Sequence, residues 1–126
     1  MPWQVTFHPD PAVVELNYDG MVSPGELGES VAAVIALSER HGCAHFLTDG
    51  TRMQGGHSML DLYAQMEQIL KSPFTAPFRE ALVMPPGAPA KVVENMDFWA
   101  SGLRLRGFDV EIFLDRSLAL RWLAKP

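Results

Sequence analysis

The sequence predicts an α/β fold: a mostly parallel sheet that opens with an antiparallel hairpin and is built by four helices alternating with strands. Three observations carry this. Trp3, Val5 and Phe7 alternate with polar residues, as do Val14, Leu16 and Tyr18, so the chain opens with two strands that each have one apolar face. Met59, Leu62, Tyr63, Met66, Ile69 and Leu70 recur at the i, i+3, i+4 spacing of an amphipathic helix. Short apolar runs bounded by Gly and Pro then alternate with further helical stretches to the end of the chain.

In order, Pro9-Asp10-Pro11 turns the first strand into the second, which Asp19-Gly20 is expected to end. Ser23 is placed to cap a helix, with Pro24 at its first position and Glu26 closing a capping box. Leu27, Val31, Val34 and Ile35 form that helix's buried stripe, and His41-Gly42 stops it. Cys43 to Thr48 reads as a buried strand ending at Asp49-Gly50, with Cys43 and His45 on one face. Ser58 and Asp61 cap the second helix, whose six apolar positions all read as core, and Ser72-Pro73 ends it. Ala81-Leu82-Val83-Met84 is the next buried strand, closed by Pro85-Pro86-Gly87. A third helix runs from about Pro89 to Arg106 with Val92, Met96, Trp99 and Leu103 on one face. Val110, Ile112 and Phe113 mark the last strand, and Asp115 caps a short helix carrying Leu118, Ala119, Trp122 and Leu123.

Length and composition narrow the classes of function. A chain of 126 residues is expected to form a single domain over 1–126 and to bury its own core without disulfides. With 48% hydrophobic and 20% charged residues it is globular rather than disordered. Its apolar runs are too short for a membrane span. Met1 to Val5 lacks the features of a secretory signal, and the lone Cys43 has no partner for an internal disulfide, so a cytoplasmic location is expected. A net charge of -5, with none of the ten Lys and Arg in a run, speaks against nucleic-acid binding. No His-x-x-x-His or Cys-x-x-Cys pair suggests a metal, and no Gly-x-Ser-x-Gly suggests a nucleophile, so neither a cofactor nor an enzyme is expected.

The element order resembles that of the SpoIIAA-like proteins of the STAS superfamily, whose founding members are bacterial anti-sigma factor antagonists. The resemblance is carried by Tyr18-Asp19-Gly20 before a capped helix and by Leu47-Thr48-Asp49-Gly50 at the end of the central strand. It extends to the closing run Arg106-Gly107-Phe108-Asp109-Val110 and on through Phe113 to Ala119-Leu120-Arg121-Trp122-Leu123. It covers nearly the whole chain and implies a SpoIIAA-like (STAS-like) fold in a bacterial, non-enzymatic regulatory or protein-interaction domain, with a protein partner or a homodimer. In phospho-regulated members a Ser or Thr in an Asp-Ser-Ser type motif opens the second helix. Here that stretch is Gly55-Gly56-His57-Ser58-Met59, in which only Ser58 keeps the hydroxyl and the flanking Asp is absent. Ser58 is the phosphorylation candidate, and its simpler reading is an N-cap worth about 1 kcal/mol.

A small ligand, if one binds, is expected at the carboxyl ends of the parallel strands beside the helix N-termini. Asp49, Thr51, Arg52, Gly55, Gly56, His57 and Ser58 make that rim together with Gly50, and Met84 to Gly87 face it from the next strand. Gly55-Gly56 with Arg52 nearby suggests a cradle for a small anion, although a glycine pair that merely lets the loop turn is the simpler account. Met53, Met59 and Met66 are candidate walls of an apolar pocket, although Met at helical spacing more often belongs to the core. Phe74 and Phe78, in the loop from Ser72, either tuck under the domain or form an apolar patch that a partner covers. Binding of a small molecule or lipid in this crevice is the alternative to the protein-interaction reading.

Overall fold

The structure, a computed structural model, describes residues 1–72 and 78–126. Its elements follow the expected order: β1 Trp3–Pro9, β2 Ala12–Met21, α1 Pro24–His41, β3 His45–Gly55, α2 Met59–Leu70, β4 Arg79–Val83, α3 Ala90–Leu105, β5 Asp109–Phe113 and α4 Arg116–Leu123. The strands form one sheet in the order β1-β2-β3-β4-β5, with β1 and β2 antiparallel and the other neighbours parallel.

Strand order that follows chain order decides where the helices go. Each of the three crossovers steps one strand in the same direction, and crossovers of one hand then lay their helices on one face. Val14, Phe46, Leu82 and Val110 of the sheet accordingly pack with Val31 of α1, Met66 of α2 and Leu103 of α3. After β5 no further strand follows, and α4 folds onto the other face, where Ala119 and Leu123 meet Val13, Leu47, Ala81 and Val83. Neighbouring strand residues such as Phe46 and Leu47 thus serve opposite cores, as the two-residue period of a strand requires.

The helix boundaries are written in the local sequence. Ser23 accepts from the Glu26 N–H while Glu26 accepts from the Ser23 N–H, a complete capping box with Pro24 at N1. Gly42, at φ 60°, supplies the left-handed residue that ends α1. Ser58 and Asp61 repeat the capping box on α2, and the Asp115 carboxylate accepts from the N–H groups of Ser117 and Leu118.

Two expectations need correction. First, Asp19-Gly20 and Asp49-Gly50 do not end their strands. β2 and β3 continue past them and keep pairing, with Asp19 opposite Arg52, Gly20 opposite Met53 and Met21 opposite Gly55. Register shifts between Asn17 and Asp19 and between Gly20 and Met21 absorb the irregularity. Cys43, by contrast, precedes β3, where it is buried and its thiol donates to the His45 carbonyl at 3.6 Å. Second, the stripe on α2 is narrower than its spacing suggests: Leu62, Met66 and Ile69 are buried, while Met59, Tyr63 and Leu70 are exposed. The helix rests chiefly on α1 and α3, and Gly102 leaves room for Met66, whose Sδ and methyl occupy the place of a Cβ there. On α4, Ala119 and Leu123 are buried and Leu118 is exposed. Of the two phenylalanines near β4, Phe78 is buried, edge-on to Phe46 and stacked on Phe108 at 4.2 Å, whereas Phe74 lies outside the described residues.

The short α4 buries little by itself and is clamped at both ends. At its start, Arg116 donates to both oxygens of Glu15 on β2, at 2.6 and 2.8 Å, while His8 on β1 meets the same carboxylate at 2.8 Å. At its end, Arg79 on β4 donates to the carbonyls of Trp122 and Lys125 and lies over the Trp122 ring. The Arg116 hydrogen bonds outweigh burial and hold the Glu15 carboxyl at about 2, below its ordinary 4.5. A depressed carboxyl stabilises the fold fully above pH 4.5, and that contribution is lost as the pH falls toward 2. Replacing Arg116 by Met is therefore expected to lower stability by about 1–3 kcal/mol at pH 7, read as a lower urea midpoint at unchanged m. Between pH 4.5 and 2 the loss of stability should be shallower in the variant than in the parent protein.

Candidate functional site

The residues expected to form one rim separate onto different surfaces. Asp49 sits on the α4 side of the sheet; one of its oxygens accepts from the Thr51 N–H and hydroxyl at 3.0 and 2.6 Å, and the other lies 3.6 Å from Arg116. Arg52 pairs with Asp19 at 3.2 Å, both side chains exposed. The Ser58 hydroxyl is engaged at the start of α2. Gly55 and Gly56 have φ of 114° and 106°, and a Cβ on Gly56 would stand 2.6 Å from the Val22 carbonyl oxygen. That pair lets the chain leave β3 against the backbone of Val22, whose N–H donates to the Gly55 carbonyl at 2.8 Å. His57 follows, with Nδ1 2.9 Å from the Val22 carbonyl oxygen, so in the neutral ring the proton sits on Nδ1.

Two of these residues, Gly55 and His57, border a cavity that lies between the sheet and helices α1, α2 and α3. Its volume is about 90 Å³. That is several times the roughly 30 Å³ share of one water and less than the roughly 150 Å³ that accommodates benzene in a dry protein cavity. Leu16 and Leu82 of the sheet, Leu27 and Val31 of α1 and Leu62 of α2 give it apolar walls. Met53, from the extended end of β3, also borders it.

A few buried polar groups interrupt those walls. Glu80, the second residue of β4, is buried and faces the helices from the same side of the strand as Leu82. One of its oxygens accepts from the Thr48 hydroxyl at 2.7 Å and the other from the Trp99 indole N–H at 2.9 Å. Burial pushes the Glu80 pKa above 4.5, only partly opposed by those two hydrogen bonds. Tyr18 and Ser30 form a second polar pair, 2.6 Å apart, and burial raises the Tyr18 phenol. Asn95 of α3 is buried on the same cavity, and its Oδ1 has no hydrogen-bond partner.

The sequence reading missed Glu80 and Asn95. The signal for Glu80 was present: it lies two residues before Leu82, on the same face of a strand, and Trp99 on an inward helical stripe needs an acceptor for its N–H. A charged residue beside an apolar run instead reads as the strand's polar flank. Asn95 lies one residue before Met96, already in the stripe, and extending that stripe to both neighbours brings it in.

Among the described residues, no group of three or more His, Cys, Asp or Glu is placed to hold a metal ion. Nor is any helix there long and apolar enough to cross a membrane. The arrangement is a partly open, largely apolar cavity bordered by a few buried polar groups, a kind of space suited to holding a small molecule.

No protein-family model matches the sequence, and no curated protein matches it. Among solved structures, the chain is similar to an uncharacterised protein of the DUF3478 family from Shewanella loihica PV-4, described as having a SpoIIAA-like fold. The two are 17% identical and superpose with a TM-score of 0.57 over 97% of this chain and 92% of the other. With its antiparallel opening hairpin, its parallel strands and its four helices, the chain has a SpoIIAA-like fold.

Proposed function

We propose that this protein is a non-enzymatic binding domain that holds a small, largely apolar molecule between its sheet and helices α1, α2 and α3. The observation that carries the reading is the cavity of about 90 Å³, apolar except for a few buried polar groups that converge on it. A space of this size leaves its lining atoms short of dispersion contacts, which an apolar occupant would restore. The site lies deeper than the strand-end crevice expected from sequence and shares Gly55 and His57 with it.

Filling the space tests this. Val31→Phe places a ring in the cavity from α1 and is expected to keep the fold, while removing any thermal stabilisation by small apolar compounds. In the parent protein, a compound at about ten times its Kd should raise Tm by roughly 5 °C. Native mass spectrometry of freshly purified protein gives a second measure. A clean apo mass together with no Tm response across an apolar fragment set would sink the proposal.

A second reading, docking onto a protein partner or a second copy, is favoured by the start of α2. Leu60 is 76% exposed and Tyr63 46% exposed, beside the exposed Met59. For self-association, Leu60→Glu with Tyr63→Glu should reduce the mass measured by light scattering to that of a monomer. A parent protein already monomeric at high micromolar concentration would leave only a different partner for that face.

A further inference from the structure

We propose that occupation of the cavity is coupled to protonation of Glu80, so that a neutral apolar molecule and a proton bind together and the ligand is held more tightly as the pH falls. The inference rests on the ligand-binding reading above and adds the regulation of that same site. Its geometric support is that Glu80 and the two side chains that hold its oxygens, Thr48 and Trp99, all border the cavity. The hydrogen-bonded group of three thus belongs to the cavity wall.

What fills the cavity decides how well a charge beside it is tolerated. A partly open space of about 90 Å³ has room for about three waters, at roughly 30 Å³ each, and water near a buried carboxylate lowers the cost of its charge. A neutral apolar occupant takes the place of that water and offers no hydrogen bond or dipole in return. The ionised form then loses solvation on which the neutral acid depends much less, and the proton is held more tightly. Proximity is enough for this, because the effect is electrostatic and needs no contact between ligand and carboxyl. Both protein donors to Glu80 are neutral, and burial already holds its pKa above 4.5, so a further rise carries the group toward neutral pH.

The other ionisable groups around the space do not imitate this behaviour. Among the described residues no Lys or Arg lines the cavity, and its titratable side chains are Tyr18 from β2, His57 at the rim and Glu80 from β4. Helices α1, α2 and α3 add none to the lining, and the sequence of 73–77 contains none. The partners of Glu80 across the sheet, Phe46 on β3 and Val110 on β5, carry no charge. Burial raises the Tyr18 phenol, which stays neutral where a carboxyl titrates. At His57 the protonated ring is the charged form, so loss of water there expels a proton and favours binding as the pH rises. The sign of the pH dependence therefore identifies the group. On the other face of the sheet, Glu15 is held at about 2 and titrates well below the range in question.

The test uses xenon, which has neither charge nor hydrogen-bonding groups, so that any effect on Glu80 comes from the water it replaces. The full chain is pressurised with xenon at a series of pH values from about 5 to about 8.5, while backbone and indole N–H resonances are followed by NMR. The expected result is that xenon binds at least about five-fold more tightly at the acid end of the series than at the alkaline end. The Trp99 indole signal, which reports on the carboxyl that accepts from it, should titrate with a midpoint that moves to higher pH under xenon. In Glu80→Gln, which keeps a hydrogen-bonding group beside Thr48 and Trp99, the xenon affinity should vary by less than about two-fold over the same series. If that variant does not fold, the midpoint shift in the parent protein decides alone. A xenon affinity independent of pH, a midpoint absent or left in place by xenon, a dependence of the opposite sign, or one retained in Glu80→Gln overturns this inference and leaves the cavity reading standing. No xenon binding at any pH overturns both.

Discussion

Removing a carboxyl group from water is costly, and at Glu80 the protein does so in the middle of its principal core. The arrangement around it follows from that constraint. Thr48 presents its hydroxyl from β3, and Trp99 turns its indole N–H inward from α3, so the carboxyl ties β3, β4 and α3 together. The cavity is bordered by Glu80, Thr48 and Trp99 together, so three separate elements contribute to its polar lining.

The two faces of the sheet treat their carboxylates in opposite ways. On the α4 side, Glu15 is buried but meets a guanidinium on both oxygens, and its acidity increases. On the cavity side, Glu80 meets only neutral donors, and its acidity decreases. Pairing with a full charge outweighs desolvation in the first case, and hydrogen bonds from a hydroxyl and an indole do not in the second. The first carboxylate fastens a helix, and the second leaves a region in which charge of either origin is disfavoured.

Much of this fold was legible in the sequence because its signals are local. Ser23 with Glu26, Ser58 with Asp61, and Asp115 act within one turn of themselves, and each begins its helix where its chemistry says. The errors arose where a distant neighbour decides. Asp-Gly is a turn signal in isolation, yet at Asp49-Gly50 the pairing partner β2 continues alongside and Met96 fills the space that Gly50 leaves, so the strand runs on. Tyr63 and Leu70 have helical spacing, but only packing on α1 and α3 determines which side of α2 is covered. The candidate site was harder still. Its rim at Gly55 and His57 was visible as a glycine-rich helix start, whereas Glu80 and Asn95 became recognisable only once β4 and α3 were placed over one another.

Strand order that follows chain order has a kinetic side as well. Each strand after the first pairs with the one made just before it, so no strand waits for a later segment before it can dock. The sheet can therefore grow in the direction of synthesis. Trp99 is among the later residues to arrive, after both Thr48 and Glu80 are in place. The full set of donors to the Glu80 carboxyl thus exists only once α3 has been synthesised.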